Sequence, residues 1–267
     1  RTASRKFKRF DKNDNCNIEK YEIDWTSLKS IEKSLDGIDI VIHLAGLNAK
    51  NCEQNPLKAE DVNVHNTKKI VELSIKKGIK KFIYLSTAHV YSNPLEGVIT
   101  ENSDTLGDHP YATTHLAAEK LILSHHAKGD LNAVIVRLSN AFGYPIFEDT
   151  NCWMLVVNDL CKQLVLNNKM IIRSNGKQRR NFISMDDTLR AINHFIDLDK
   201  QDNPIFNLGS LWNPTIKEVA KIIAKRYESI TSQIPDIKFD ASIDYGSYFL
   251  DYKIDKLLNS GFSFYNK

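Results

Sequence analysis

This 267-residue chain is poor in several things, and each shortage removes a class of function. It has four cysteines, Cys16, Cys52, Cys152 and Cys161, with no C-x-x-C among them and no His pair at zinc-ligand spacing. No metal site is expected, and the thiols are expected to be reduced, as in a cytoplasmic protein. No apolar run reaches the roughly 18 residues that a membrane helix requires, so no membrane partner is expected. The net charge of +3 is too small to imply nucleic acid, and no basic face or aromatic platform supports that reading. Lys76, Lys77, Lys80 and Lys81 cluster, but Gly78 among them marks a helix C-terminus, where cations suit the dipole. No repeat or low-complexity segment is present. The chain has no initiator Met, and it reads as beginning inside a domain, near the end of a second strand.

What is present is an ordinary globular composition, 42% hydrophobic and 26% charged, enough for one large domain or two small ones. Ile38 to Leu44 is a continuous β-rich run, expected as a strand buried on both faces. The small residues Ala45 and Gly46 follow it. A helix is expected from about Ala59 to Lys77, with Val64, Ile70, Val71 and Ile75 apolar. Lys81 to Leu85 predicts a strand, Tyr111 to about Ala127 a helix, and Leu131 to Leu138 another buried strand. This alternation argues a doubly wound α/β sheet, in which ligands bind beyond the carboxyl ends of the strands. Gly46, Thr87 and Asn140 all fall on that side.

After Asn140 the pattern loosens. Phe142 to Pro145 reads as a turn, Asn151 to Leu166 as a helix and Met170 to Ile172 as a short strand. Met185 to Leu198 is expected to be helical, and Ile205 to Leu208 extended. Thr215-Ile-Lys-Glu218 is a capping box opening a helix to about Tyr227.

Two polar clusters carry the chemistry. Ser86-Thr87-Ala88-His89-Val90-Tyr91 follows one strand, and Tyr111-Ala-Thr-Thr-His115 opens a helix. A phenol moves a proton at working pH only if its value of about 10 is pulled down, and a fixed cation does this. Residues four apart share a helical face, so the cation belongs four positions after the tyrosine. His115 stands there. An imidazole, with its ordinary value near 6.5, is a weaker cation, though it can still donate a hydrogen bond. Lys120, nine positions on, points to about the opposite side of the helix.

Together these clusters resemble the extended short-chain dehydrogenase/reductases, the NAD-dependent epimerases and dehydratases of nucleotide-activated sugars. Further signposts follow that family's order. His43-Leu44-Ala45-Gly46 resembles its segment beside the cofactor. Asn63-Val-His-Asn-Thr67 resembles its Asn-x-x-Gly-Thr element, and Arg137-Leu-Ser-Asn140-Ala-Phe-Gly143 its Arg-x-x-Asn turn. Gly176 to Asp187 and Phe206-Asn-Leu-Gly209 resemble two later segments.

The resemblance implies a doubly wound parallel Rossmann sheet with a smaller C-terminal substrate-binding lobe. It implies a dinucleotide domain over residues 1–140 and 181–214, and a substrate lobe over 141–180 and 215–267. Thr87 would hold the sugar oxygen, Tyr111 would be the acid/base and His115 would contact the nicotinamide ribose. Asp24, Leu44, Ala45, Gly46, Asn63, Ser86 and Leu138 would line the cofactor, NAD or NADP with NAD preferred. Thr87, His89, Asn140 and Arg180 would face a nucleotide-diphosphate sugar, Asn140 and Arg180 at its diphosphate. A homodimer is the expected assembly.

Three departures from the family pattern stand out. The Gly-rich turn that cradles a pyrophosphate is absent, so the first β-α unit is expected to be missing from this sequence. His115 replaces the family lysine, and it is expected to act as an imidazolium or as a ribose donor. The segment around Tyr245 to Tyr248 lacks an arginine that many relatives use. Arg1, Arg5 and Lys6 are candidates for the 2′-phosphate of NADP. Family dehydratases carry Asp-Glu directly after the threonine, where this chain has Ala88-His89, so an epimerase or ketoreductase is expected. The alternative is a catalytically weakened dinucleotide-binding scaffold acting as a sensor or partner protein.

Overall fold

The computed structural model describes residues 1–5, 18–147, 150–244 and 246–265. Cys16, Lys6 and Tyr245 therefore lie outside the described residues. The described chain divides into two compact units. One comprises Arg1–Val90, Gly107–Val136 and Leu198–Ile205, and the other Tyr91–Leu106, Arg137–Asp197 and Phe206–Lys267. Of the residues assigned on the sequence to the dinucleotide domain, 91–106, 137–140, 181–197 and 206–214 cluster with the second unit.

The four-stranded sheet has the strand order Ile205–Leu208, Ala133–Leu138, Lys81–Thr87, Ile40–His43. Ile40–His43 runs parallel to Lys81–Thr87, with Val41 opposite Phe82 and His43 opposite Tyr84. Side chains two apart share a sheet face, so these four residues form one surface. Ile70 and Val71 from the helix Asn66–Lys76 cover it, together with Ala118 and Ile122 from the helix Pro110–Lys128. Fully burying each large aliphatic side chain contributes about 1.5–3 kcal/mol. Ala133–Leu138 is buried along nearly all its length, as its sequence predicts. Ile40–His43 is not: Ile42 is 38% exposed, because this strand ends the sheet order and one of its faces lies open.

The helix expected over 59–77 is three segments, Pro56–Glu60, a π-turn Asp61–His65, and Asn66–Lys76. The wider turn places Asn63, which is buried, where its amide is fully bonded by neighbouring elements. Its end matches expectation: Gly78 takes φ 70°, a value glycine tolerates. Lys76 pairs with Glu32 at 2.9 Å, Lys77 with Asp36 at 2.7 Å and Lys80 with Asp39 at 2.9 Å, so the basic cluster is neutralised locally. The buried Lys81 instead donates to the Leu198 carbonyl at 2.5 Å.

Helix Pro110–Lys128 starts on Pro110 at its first turn and stops at Gly129, whose φ is 81°. The His109 ring caps it, Nδ1 accepting from the Tyr111 N–H at 3.1 Å. Lys120 is exposed, as its helical position requires.

The second unit packs helices Val156–Asn167 and Ile216–Thr231 against the parallel pair Lys169–Ile172 and Asp236–Phe239. Thr215 and Glu218 form the expected capping box. Two elements differ from the sequence reading. The helix starts at Val156 rather than Asn151, because Cys152 to Leu155 form a turn closed by Leu155 N–H on the Cys152 carbonyl. Asn140–Phe142 is a strand parallel to Phe182–Ser184, where only a turn was expected. Among the described residues no helix is long and apolar enough to cross a membrane, and no cluster of ligating side chains could hold a metal.

Candidate active site

The site assembles at the carboxyl end of Lys81–Thr87 and on the first turns of Pro110–Lys128, within the first unit. Thr87 is buried and Tyr111 partly so. The Thr87 hydroxyl lies near enough to the Tyr111 phenol to favour its ionised form. Thr87 Oγ1 also accepts from the His89 N–H at 3.2 Å, which fixes its hydroxyl at the strand end. The His89 ring meets Tyr111 edge-on at 6.3 Å. Burial pushes the Tyr111 phenol above its ordinary value, the nearby Thr87 hydroxyl pulls it partly back, and Cys52 pushes it up again.

His115 lies one turn below Tyr111, as the i, i+4 spacing requires, with ring centroids 4.6 Å apart in a T-shaped contact. It is buried, and burial depresses its imidazole to about 4, with His43 and His89 adding repulsion. Of the two roles expected for it, imidazolium or ribose donor, this depression favours the second, an imidazole held uncharged near neutral pH. Its Nδ1 lies 2.8 Å from the hydroxyl of Tyr84, a buried residue of the adjacent strand.

A second layer holds this frame. Asn63 Oδ1 accepts from the Leu47 N–H at 2.8 Å, and Nδ2 donates to Thr114 Oγ1 at 3.0 Å. Thr114 donates onward to the Pro110 carbonyl at 2.7 Å. A Cβ added at Gly46 would sit 3.3 Å from Asn63 Oδ1 and 3.9 Å from His115 Cε1, so this loop passes close to both side chains and an alanine would press on the Asn63 amide. Ser86 donates to the fully buried Glu119 at 2.5 Å. His43 Nε2 lies 3.0 Å from Thr67 Oγ1, its ring stacks on Tyr84 at 5.9 Å, and burial lowers it to about 4.

The structure thus brings Thr87, His89, Tyr111 and His115 together, with Asn63, Gly46 and Ser86 around them. The polar groups of Asn63 and Ser86 are committed to protein partners, so both support the frame. Leu44 is 58% exposed, and Ala45 and Gly46 are exposed beside it, an uncovered surface at the strand's carboxyl end. Asp24 is exposed and shapes its own loop, Oδ1 accepting from the Thr26 N–H at 2.9 Å and hydroxyl at 2.7 Å. Leu138, Asn140 and Arg180 belong to the second unit. There Asn140 Nδ2 donates to the Asn181 carbonyl at 2.9 Å, and Arg180 is exposed.

Sequence reasoning missed Tyr84, Thr114, His109 and Gly107. The first three are polar residues whose partners lie on other elements or at a helix cap. Gly107 had no signal, although a Cβ there would lie 2.3 Å from the His89 carbonyl oxygen.

The dTDP-D-glucose 4,6-dehydratase of Mus musculus is 28% identical over 204 residues, covering 74% of this chain and 55% of that protein. The UDP-glucuronate 4-epimerase of Thermodesulfobacterium geofontis is 26% identical over 213 residues, covering 78% of this chain and 64% of that protein. The chain thus spans little more than half the length of several curated relatives it matches. The structure of MoeE5 in complex with UDP-glucuronic acid and NAD superposes with a TM-score of 0.80 at 21% identity, covering 98% of this chain and 84% of that one. That likeness establishes the fold, an α/β Rossmann architecture. Residues 1–209 match the model of the NAD dependent epimerase/dehydratase family, and the chain belongs to that family.

Proposed function

We propose that this chain is the core of an NAD-dependent enzyme that epimerises a nucleotide-activated sugar or reduces its keto form. The observation that carries the reading is the Thr87 hydroxyl beside the Tyr111 phenol, with the His115 ring edge-on to Tyr111 one turn below. Thr87 would hold the sugar oxygen, and Tyr111 would move the proton on it. The sugar nucleotides named for the relatives, dTDP-D-glucose and UDP-glucuronate, support a nucleotide-activated sugar as the substrate class.

The residues present fit the reactive end of a nicotinamide cofactor. The close-passing Gly46 loop, the exposed Leu44 and the His115 imidazole would hold it. When bound, NAD supplies the hydride acceptor or, reduced, the hydride donor. Tyr111 rests as a neutral phenol because burial raises it. It is thus ready to donate a proton to a keto oxygen, and it must lose its own proton before it can take one from a hydroxyl. The reduction half-reaction is favoured at neutral pH.

We prefer NAD to NADP because Arg1 is already engaged. The Arg1 guanidinium, a candidate for the 2′-phosphate, instead donates to the carbonyls of Lys33, Ser34 and Asp36 at 3.0–3.2 Å and pairs with Glu19 at 2.8 Å. It closes a helix C-terminus. Arg180 and Asn140 remain our candidates for the sugar-nucleotide diphosphate. Ala88 and His89 stand where the family's dehydratases carry an acid pair, so dehydration is disfavoured even though dehydratases are among the relatives.

One feature favours the second reading, a weakened scaffold: burial lowers the His115 imidazole beside Tyr111 to about 4, so it gives the phenol little help as a cation. A panel of UDP-, GDP-, dTDP- and CDP-sugars and their 4-keto forms, followed by cofactor absorbance, decides between the two. Tight NAD binding without turnover of any sugar nucleotide would overturn the enzyme reading.

A further inference from the structure

The Tyr84 hydroxyl is buried in the core, and among the described residues its one hydrogen-bond partner is His115 Nδ1, at 2.8 Å. A buried O–H needs an acceptor, because a donor buried without one has lost its bond to water and gained nothing in return. If the imidazole proton sat on Nδ1, it would point at the Tyr84 oxygen, and the phenolic proton would have nowhere to go. Burial also raises Tyr84 well above the ordinary phenol range, with Glu119 and Tyr111 adding repulsion, so the phenol keeps its proton. Tyr84 therefore donates and Nδ1 accepts, which leaves the ring proton on Nε2. Among the described residues Nε2 makes no hydrogen bond, and it is not one of the polar atoms sealed from solvent.

We propose that Tyr84 is a positioning residue for His115: by donating to Nδ1 it fixes the neutral Nε2–H tautomer and leaves that one N–H facing the ligand. The site then uses a directed neutral donor where a lysine would offer three rotatable ones. Tyr84 reaches His115 because strand Lys81–Thr87 and helix Pro110–Lys128 pack face to face, with the two rings 5.8 Å apart. His43, stacked on Tyr84 from the neighbouring strand, limits the freedom of the Tyr84 ring.

The test reads the tautomer directly, by two-bond ¹H–¹⁵N correlation on histidine-labelled protein without ligand. The wild type is expected to show His115 with Nε2 protonated and Nδ1 an acceptor, unchanged from pH 6 to 8. Tyr84→Phe keeps the aromatic body and is expected to give a tautomer mixture at His115. An Nδ1–H wild type, or a tautomer indifferent to Tyr84→Phe, would overturn the proposal. A second arm rests on the NAD reading. Tyr84→Phe should weaken NAD binding roughly five-fold, the equivalent of one ordinary hydrogen bond, and should do nothing in a His115→Lys background. The same loss in both backgrounds would make Tyr84 a packing residue and sink the assignment. If the tautomer behaves as described but no sugar nucleotide is turned over, the functional reading fails and the Tyr84 assignment stands.

Discussion

Asn63 Nδ2 donates to Thr114 Oγ1 at 3.0 Å, and this bond ties the π-turn Asp61–His65 to the helix that carries Tyr111 and His115. Asn63 is 1% exposed, and its Oδ1 is held by the Leu47 N–H. Asn63→Leu would leave that N–H without its partner in a site with little solvent, and would remove the tie to Thr114. The expected cost is about 2–4 kcal/mol in urea unfolding, with a fall in turnover beyond what lost stability explains. An unchanged midpoint would show that Thr114 and Leu47 find partners without Asn63.

The pH profile follows from the two pKa directions. His115 titrates at about 4, and Tyr111 lies above the usual phenol range. Sugar oxidation should therefore rise steadily through the alkaline range, with no inflection near pH 6.5. His115→Lys places a cation against the phenol and should move the alkaline limb to lower pH. The rate at pH 7.5 should then rise by about tenfold for every pH unit that the limb moves. A wild-type inflection near neutrality that vanishes in His115→Gln would show that His115 carries charge in the working enzyme.

Much of this was legible in the sequence, and the part that was not has a common cause. The strands Lys81–Thr87 and Ala133–Leu138 were readable because apolar runs leave few alternatives. The Tyr111 and His115 pairing was readable because four residues is a fixed turn of helix. The protonation state of His115 was not, because it depends on burial by His43, Tyr84 and the sheet, residues more than 25 positions away in sequence. The π-turn was equally hidden: Asn63 fits a regular helical pattern until Leu47 and Thr114 claim its amide. Arg1 reads as a free cation until the helix Leu28–Ser34 folds its last carbonyls onto it.

Acid should destabilise the protein through two buried histidines. His43 and His115 are both held at about 4, against an unfolded value of 6.5. Each stays neutral when folded and binds a proton when unfolded below pH 6.5, so stability is fully present above that value and is lost as pH falls towards 4. The expected loss is about 3 kcal/mol for each group over that window. His43→Gln preserves a polar partner for Thr67 and removes one of the two titrations. Its urea midpoint should fall less steeply between pH 7 and 4.5 than that of the wild type. Parallel slopes would show that His43 is protonated alike in both states.

Two glycines separate the effect of space from that of backbone angle. Gly129 has φ 81° with nothing within 4 Å of a Cβ built on it, so Gly129→Ala meets only the left-handed backbone penalty, about 1–2 kcal/mol. At Gly107 a Cβ would lie 2.3 Å from the His89 carbonyl oxygen, 2.8 Å from Ala112 Cβ and 3.2 Å from the Val90 carbonyl oxygen. Backbone must shift to admit it. The segment that yields either follows Thr87 or leads into the turn carrying Tyr111, so the placement of Thr87 against Tyr111 is expected to change. Gly107→Ala should therefore cut kcat by at least about tenfold, since a displacement of about 1 Å in such a pair carries costs of that order. Gly129→Ala should lower the melting temperature and leave kcat unchanged, because it acts at the far end of the same helix. Equal kcat in the two variants, at matched folded fraction, would mean that the Gly107 contact does not set the Thr87 and Tyr111 geometry.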